Sequence, residues 1–369
     1  MRVLHVISSG GMYGAEAVIL NLARAMEGGP HTMALGVFDN SPNANLQLHE
    51  AALKQGVESH LIECSGQVDR GAVERVRALA REVRADVVHA HGFKADIYAY
   101  LAMRRSGVAL VSTCHTWYDT DWMVRLYGRL DRFVLRKYAR VVAVSDEVRT
   151  RLLKAGVREE RIRIVRNGID LRPFEGAKAT LRAELGGGTI VGLVGRLAWE
   201  KGVDVFLRAA ARVLVELPEV RFVVVGDGPD RAMLEGLIGE LGIGARVAML
   251  GRREDMAGVV ASLDVMVSAS RQEGLPMAIL EGMASGRAMV ATAVGEVPKL
   301  VVDGKTGVLV AAEDVEALAA GIAGLVRDTE RRTRLGAAAR EMVRAEYSAE
   351  RMAREYLRVY EEAMAEVGR

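Results

Sequence analysis

Apolar positions in this chain follow two alternating rhythms. Arg2–Ser8, Asp86–His89, Leu110–Cys114 and Val141–Val144 are short runs dominated by aliphatic residues, the pattern of parallel strands covered on both faces. Between them lie longer stretches with helical spacing, among them Ala15–Met26 and Val73–Val83. The pattern then breaks and restarts, with strand-like runs at Thr189–Gly195, Arg221–Val225, Arg246–Leu250, Val265–Ser268 and Met289–Ala291. Strands alternating with helices predict a doubly wound parallel sheet, and two such series predict two Rossmann-like α/β domains. The join falls between Asn167 and Thr189, where Pro173, Gly176 and the run Gly186-Gly187-Gly188 interrupt any regular pattern. The expected boundaries are 1–170, 171–350 and a terminal segment 351–369. The stretch Arg340–Glu366 reads as one long charged helix with an apolar stripe that includes Met342, Tyr356, Val359 and Tyr360.

Composition sharpens this picture. The length of 369 residues exceeds what one hydrophobic core usually serves, in agreement with two domains. A hydrophobic fraction of 50% excludes a disordered chain, and a net charge of +2 argues against a dedicated nucleic-acid binder. The only cysteines, Cys64 and Cys114, cannot build a disulfide framework and suit a reducing cytoplasm. The N-terminus lacks the pattern of a signal peptide, and no apolar run is long enough to span a bilayer, so a cytoplasmic location is expected.

Charge is shared unevenly. Residues 1–170 carry 24 Lys+Arg against 19 Asp+Glu, whereas the remainder carries 26 against 29. The excess gathers at Arg125, Arg129, Arg132, Arg136, Lys137 and Arg140. Spacings of three and four place most of these on one helical face, with Leu126, Leu130, Phe133 and Val134 on another. That face 125–140 is either an ordinary solvated surface or a contact for an anionic acceptor or for anionic lipid at the inner face of the cell membrane.

In open α/β sheets, ligands bind beyond the carboxyl ends of the strands, so loops that follow strands are where chemistry is sought. Ser8-Ser9-Gly10-Gly11-Met12-Tyr13-Gly14 is a glycine-rich turn ahead of a helix, without the spacing of a dinucleotide fingerprint or a P-loop. Gly195-Arg196-Leu197-Ala198-Trp199-Glu200-Lys201-Gly202 sets two cations where a diphosphate can lie, although a surface ion-pair cluster explains them equally. In Ser270–Glu281, Glu273 and Glu281 stand eight positions apart around Gly274, Leu275 and Pro276, with a helix opening near Pro276 or Met277. Carboxylate acceptors beside free amides describe a sugar nucleotide well, and a capping Glu with a buried salt bridge is the competing account. His115, at the end of Ser112-Thr113-Cys114-His115, competes with His89 and His91 as a strand-end histidine of functional importance.

The ordered set of the glycine-rich first loop, G-R-L-x-x-E-K-G, the Glu-x7-Glu segment and the closing Asp303-Gly304-Lys305-Thr306-Gly307 resembles family 4 glycosyltransferases of GT-B architecture over nearly the whole chain. The resemblance implies a retaining transfer of a hexosyl-type sugar from a nucleotide diphosphate sugar, in a cleft between the two domains. UDP-sugars are the first expectation and GDP-sugars the second, with a glycan or lipid-linked hydroxyl as acceptor. By the same likeness Arg196 and Lys201 hold the diphosphate, and Glu281 accepts from the ribose hydroxyls. Glu273 bonds the transferred sugar, and the Gly274 and Leu275 amides meet the phosphate or sugar. Gly10 and Gly11 close over the donor or help bind the acceptor, His115 touches the sugar near its reacting end, and the terminal helix crosses back onto the first domain. No metal or organic cofactor is expected, and no nucleic-acid partner. The Asp119-Thr120-Asp121 triplet is taken as helix capping or acceptor contact rather than a metal site, and Trp117, Tyr118 and Trp122 as acceptor platforms or core. The chain departs from the family pattern at Gly295-Glu296-Val297-Pro298-Lys299, whose charges put the sugar preference in doubt. A UDP-sugar 2-epimerase of the same fold and a non-catalytic nucleotide-sugar-binding regulator are the alternatives.

Overall fold

The computed structural model describes residues 1–368 apart from 13, 41–44, 66–68 and 116–121, with backbone alone for 122–127 and 129. The chain forms two compact units, Met1–Asp170 with Ala349–Arg369, and Leu171–Ser348.

The first unit is built on strands β1 (Arg2–Ile7), β2 (Thr32–Asp39), β3 (Glu58–Glu63), β4 (Val87–His91), β5 (Ala109–Cys114), β6 (Arg140–Ala143) and β7 (Ile162–Ile164). Helices α1 (Gly14–Met26), α2 (Gln47–Lys54), α3 (Arg70–Glu82), α4 (Phe93–Met103), α5 (Trp122–Leu135) and α6 (Asp146–Lys154) connect them. All pairings are parallel, in the order β3-β2-β1-β4-β5-β6-β7. Side chains alternate across the sheet, so Leu4, Val6, Val88 and Ala90 join the core under α3 and α4, while Ile7, Leu35 and Val37 pack with Ile19 and Leu20 of α1. Helix starts follow their capping residues: the Asp69 carboxylate accepts from the Gly71 and Ala72 amides, and Ser145 Oγ accepts from Val148.

The second unit holds β8 (Ile190–Val194), β9 (Arg221–Val225), β10 (Val247–Gly251), β11 (Val265–Ser268), β12 (Ala288–Thr292) and β13 (Gly307–Val310), parallel in the order β10-β9-β8-β11-β12-β13. Its helices are α7 (Leu181–Glu184), α8 (Val203–Glu216), α9 (Arg231–Glu240), α10 (Met256–Ser262), α11 (Met277–Ala284), α12 (Val297–Leu300), α13 (Val315–Arg327) and α14 (Thr329–Glu346). Phe206 of α8 meets Phe222 of β9 edge to face, with ring centroids 5.8 Å apart, at the centre of a core that also takes Val224, Val267, Val290 and Ile322.

Both series of strands and helices match the expected α/β class, with β2, β3, β7 and β13 in addition. The expected single helix over Arg340–Glu366 is two: α14 ends at Glu346, and after Tyr347-Ser348 the chain begins α15 (Ala349–Val367), with the Ala349 amide donating to Ile169 O. Helix α15 belongs to the first unit, where it packs on α1, β4, β5 and β6. Its buried residues Met352, Ala353, Tyr356, Val359, Tyr360 and Ala363 recur at three and four, and Glu362 and Glu366 hold Arg140, Arg161 and Arg163 at its far end. Arg140 therefore starts β6 and is not part of a helical basic face. Arg136, beyond the end of α5, spends its guanidinium on the Ala155 carbonyl. On α5 itself Val134 is buried, but Leu130 and Phe133 are exposed, so its apolar positions do not form one covered face.

Candidate active site

Strand order reverses between β1 and β4 in the first unit and between β8 and β11 in the second. The loops leaving the carboxyl ends of these strands are the ligand positions of such sheets.

In the second unit, the loop after β8 makes a turn of 3-10 helix at Trp199–Lys201 and enters α8 through Gly202. A Cβ on Gly202 would lie 2.0 Å from the Ala269 carbonyl oxygen, and its φ is +60°, so only glycine lets this loop press against the end of β11. Arg271 joins the two loops: its guanidinium donates to both Asp204 oxygens at 2.8 Å and to the Trp199 carbonyl at 2.8 Å, and its amide donates to Glu200 O. The expected residues Lys201 and Glu273 meet on this frame. Lys201 Nζ lies 2.6 Å from Glu273 Oε1, and Ser270 Oγ donates to the same oxygen at 2.7 Å. Arg196 stands exposed on the same loop.

Glu273 leads into Gly274 and Leu275, whose amides have no protein acceptor among the described residues, and then into α11. A third loop braces this turn from behind. The Glu296 amide donates to Gly274 O, and a Cβ on Gly295 would fall 1.9 Å from Glu273 O at φ +51°. One turn into α11, Glu281 is half-buried between Leu280 and Gly282, and burial pushes its carboxyl up to about 7. Among the described residues no side chain bonds that carboxylate. The charges of Glu296 and Lys299 pair with each other at 2.8 Å, so they add no net charge to the loop. The closing Asp303–Gly307 motif is a structural turn: Thr306 Oγ1 accepts from the Val302 amide and donates to Leu300 O, both at 2.8 Å.

In the first unit, Gly10 and Gly11 sit in a turn held by Ser9, whose hydroxyl donates to Glu16 at 2.9 Å and accepts from the Gly11 amide. Asn45 donates to Gly10 O. At the end of β5, His115 Nε2 lies 3.2 Å from His91 Nδ1, so the two competing histidines are neighbours. Behind them stand His5 and His89, two buried histidines in register on β1 and β4. Burial pushes His115 down to about 4 and His5 to about 3, and holds His89 and His91 well below the usual range. The sequence reading passed over His5, Ser270 and Arg271, although H-x-H on β4 beside a histidine on β1 is a period-two signal for one shared face. Asp119 and Asp121 lie outside the described residues, as do Trp117 and Tyr118, and the side chain of Trp122 is likewise not described. No described helix is long and apolar enough to cross a membrane.

Two family profiles divide the chain much as its units do: one described as Glycosyltransferase Family 4 matches residues 12–172, and one described as Glycosyl transferases group 1 matches residues 182–342. The alpha-D-kanosaminyltransferase of Streptomyces kanamyceticus is 33% identical over 74% of this chain and 76% of its own. The D-inositol 3-phosphate glycosyltransferase of Mycobacterium avium is 35% identical over 66% of this chain and 61% of its own. Among solved structures, that of Anabaena HepE with UDP and glucose superposes with a TM-score of 0.83 at 23% identity, over 97% of this chain and 98% of the other.

Proposed function

The chain belongs to glycosyltransferase family 4 and is a glycosyltransferase of GT-B fold, and from that premise we propose that it transfers a hexosyl-type sugar, with retention and without a metal, from a nucleotide diphosphate sugar to a hydroxyl of a glycan or lipid-linked acceptor. UDP is the preferred carrier and GDP the second. The observation that carries the reading is local to the second unit. The Lys201–Glu273 pair, the free Gly274 and Leu275 amides and the unbonded Glu281 carboxylate follow one another along a single braced turn. Cation and amides suit the diphosphate, Glu281 the ribose hydroxyls, and Glu273, fixed by Lys201 and Ser270, a hydroxyl of the transferred sugar.

In the proposed reaction the bond from the anomeric carbon to the diphosphate breaks and the acceptor oxygen bonds to the same face. The acceptor proton leaves on the diphosphate. Arg196, Lys201 and the two amides stabilise the charge that develops on the leaving group, the role a preorganised donor set fills best. Glu273 positions the sugar and is not a nucleophile, so the Glu273/Glu281 pair does not act as a glycosidase dyad. His115 contacts the sugar, and the Gly10-Gly11 turn serves the donor or acceptor. A lipid-linked acceptor is supported by Leu130 and Phe133, exposed on α5 beside Arg132 and Lys137. The test is the anomeric configuration of the product by proton NMR, with and without EDTA. Retention unchanged by EDTA is expected. Inversion, or loss of turnover on chelation, contradicts the mechanism.

A further inference from the structure

Six contacts join seven side chains into one unbranched file inside the first unit. From the C-terminal helix, Tyr356 Oη lies 3.0 Å from Thr113 Oγ1, which lies 2.7 Å from His89 Nε2. His89 Nδ1 lies 2.8 Å from Tyr360 Oη, and that hydroxyl 3.4 Å from His5 Nε2. His5 Nδ1 lies 2.9 Å from His91 Nε2, and His91 Nδ1 3.2 Å from His115 Nε2. Strand register explains the assembly: His5 pairs with His89 and His91 with Thr113, and with a period of two His5, His89, His91, Thr113 and His115 share the face that α15 covers.

All four rings are neutral, because burial holds each imidazole well below its ordinary value. A neutral imidazole has one N–H and one bare nitrogen, and each hydroxyl has one proton and two lone pairs, so filling all six contacts leaves one proton over, on Tyr356, Thr113, Tyr360 or His115. In the first three cases it sits on a buried hydroxyl that has no further acceptor among the described residues. In the fourth, the file runs from Tyr356 to His115 and every hydroxyl proton is used within it. An orphaned buried donor is the costlier defect, so this last arrangement is favoured.

We propose that the file runs from Tyr356 to His115, and that His91, backed by His5 and Tyr360, is a positioning residue that holds His115 as the Nδ1–H tautomer. Nε2 of His115 then accepts from His91, and its Nδ1–H is left as a hydrogen-bond donor rather than a base. The kinetic consequence rests on the reading of His115 as a contact of the donor sugar; the tautomer does not. The three buried histidines also have the composition of a metal site. Against that, tetrahedral zinc with ligands at ~2.0–2.1 Å sets neighbouring nitrogens about 3.4 Å apart, and the 2.9 Å between His5 and His91 is hydrogen-bond spacing.

The test uses the full chain labelled with 15N-histidine, in which long-range proton–nitrogen spectra report each ring's tautomer and His115→Asn assigns the His115 signals. The wild type is expected to show His115 as Nδ1–H. Tyr360→Phe removes the hydroxyl that donates to His5 and accepts from His89 Nδ1–H, freeing the His5–His91–His115 segment to reverse, so an Nε2–H population of His115 is expected with the fold retained and a lowered melting temperature. His91→Asn keeps an N–H donor near the Nδ1 position and is expected to keep the Nδ1–H form. Wild-type His115 as Nε2–H overturns the proposal, as does a Tyr360→Phe spectrum identical to wild type at His115, or stoichiometric zinc perturbing His5, His89 and His91 together. Tyr360→Phe is further expected to lower kcat several-fold with little change in KM. A tautomer shift with unchanged kinetics supports the file and counts against His115 as a sugar contact.

Discussion

In the proposed donor site, Glu281 should make binding sensitive to pH. Its carboxyl is pushed up to about 7, and only the ionised form can accept from two ribose hydroxyls. The competent fraction is then about 0.9 at pH 8 and about 0.1 at pH 6, so donor affinity should fall about tenfold between them, about 1.4 kcal/mol. A nucleotide diphosphate sugar is the right ligand, because its diphosphate diester has no proton to exchange in that interval. His115, down at about 4, stays neutral throughout. Isothermal titration from pH 6 to 8 should show the slope in the wild type, and a weaker, flat profile in Glu281→Gln. The same shift has the opposite sign for stability. A carboxyl raised above its unfolded value of 4.5 favours the fold below pH 4.5 and loses that contribution as pH rises through 7. Glu281→Gln should therefore be more stable than wild type at pH 8, by at most about 3 kcal/mol and less as solvent screens the group, with the difference vanishing near pH 4. A wild-type affinity flat from pH 6 to 8, or a slope that survives in Glu281→Gln, refutes the assignment.

Gly295→Ala should disable the site from behind. Its Cβ would have to move more than 1 Å from the 1.9 Å contact with Glu273 O, at a φ of +51° that itself costs alanine about 1–2 kcal/mol. A displacement of that size is expected to lower kcat/KM about 100-fold with a fall in melting temperature, and wild-type turnover would contradict the bracing role. On α5, Phe133→Ser with Arg132→Ala is expected to reduce co-sedimentation with anionic vesicles several-fold while leaving hydrolysis of the donor unchanged. Equal sedimentation of variant and wild type would remove membrane contact from the account.

How much of this was legible in the sequence depended on how each element is covered. Strands such as Val265–Ser268, buried on both faces, announce themselves as apolar runs. Glu58–Glu63 is an edge strand with a single buried side chain, and Thr32–Asp39 is interrupted by Gly36, where a Cβ would meet Ile62 at 2.8 Å. The break at Tyr347-Ser348 is a tertiary feature: charged helical spacing continues across it, but the chain passes there from one compact unit to the other. Lys201 and Glu273 were both visible as candidates, yet their contact depends on Gly202 and Arg271 drawing two loops together across 72 positions of sequence. The histidine file escaped notice because the two tyrosines that link it lie on a helix more than 240 positions from the strands they touch.

The central claim is that the braced turn of the second unit binds and activates a nucleotide diphosphate sugar. The most direct measurement is nucleotide diphosphate release from a panel of UDP-, GDP- and ADP-sugars by the wild type, Lys201→Ala and Glu281→Ala. Slow hydrolysis of one donor, lost in both variants while they keep their fold, is the predicted result. Hydrolysis that persists in both, or a wild type that neither hydrolyses nor is thermally stabilised by any nucleotide in the panel, would contradict it.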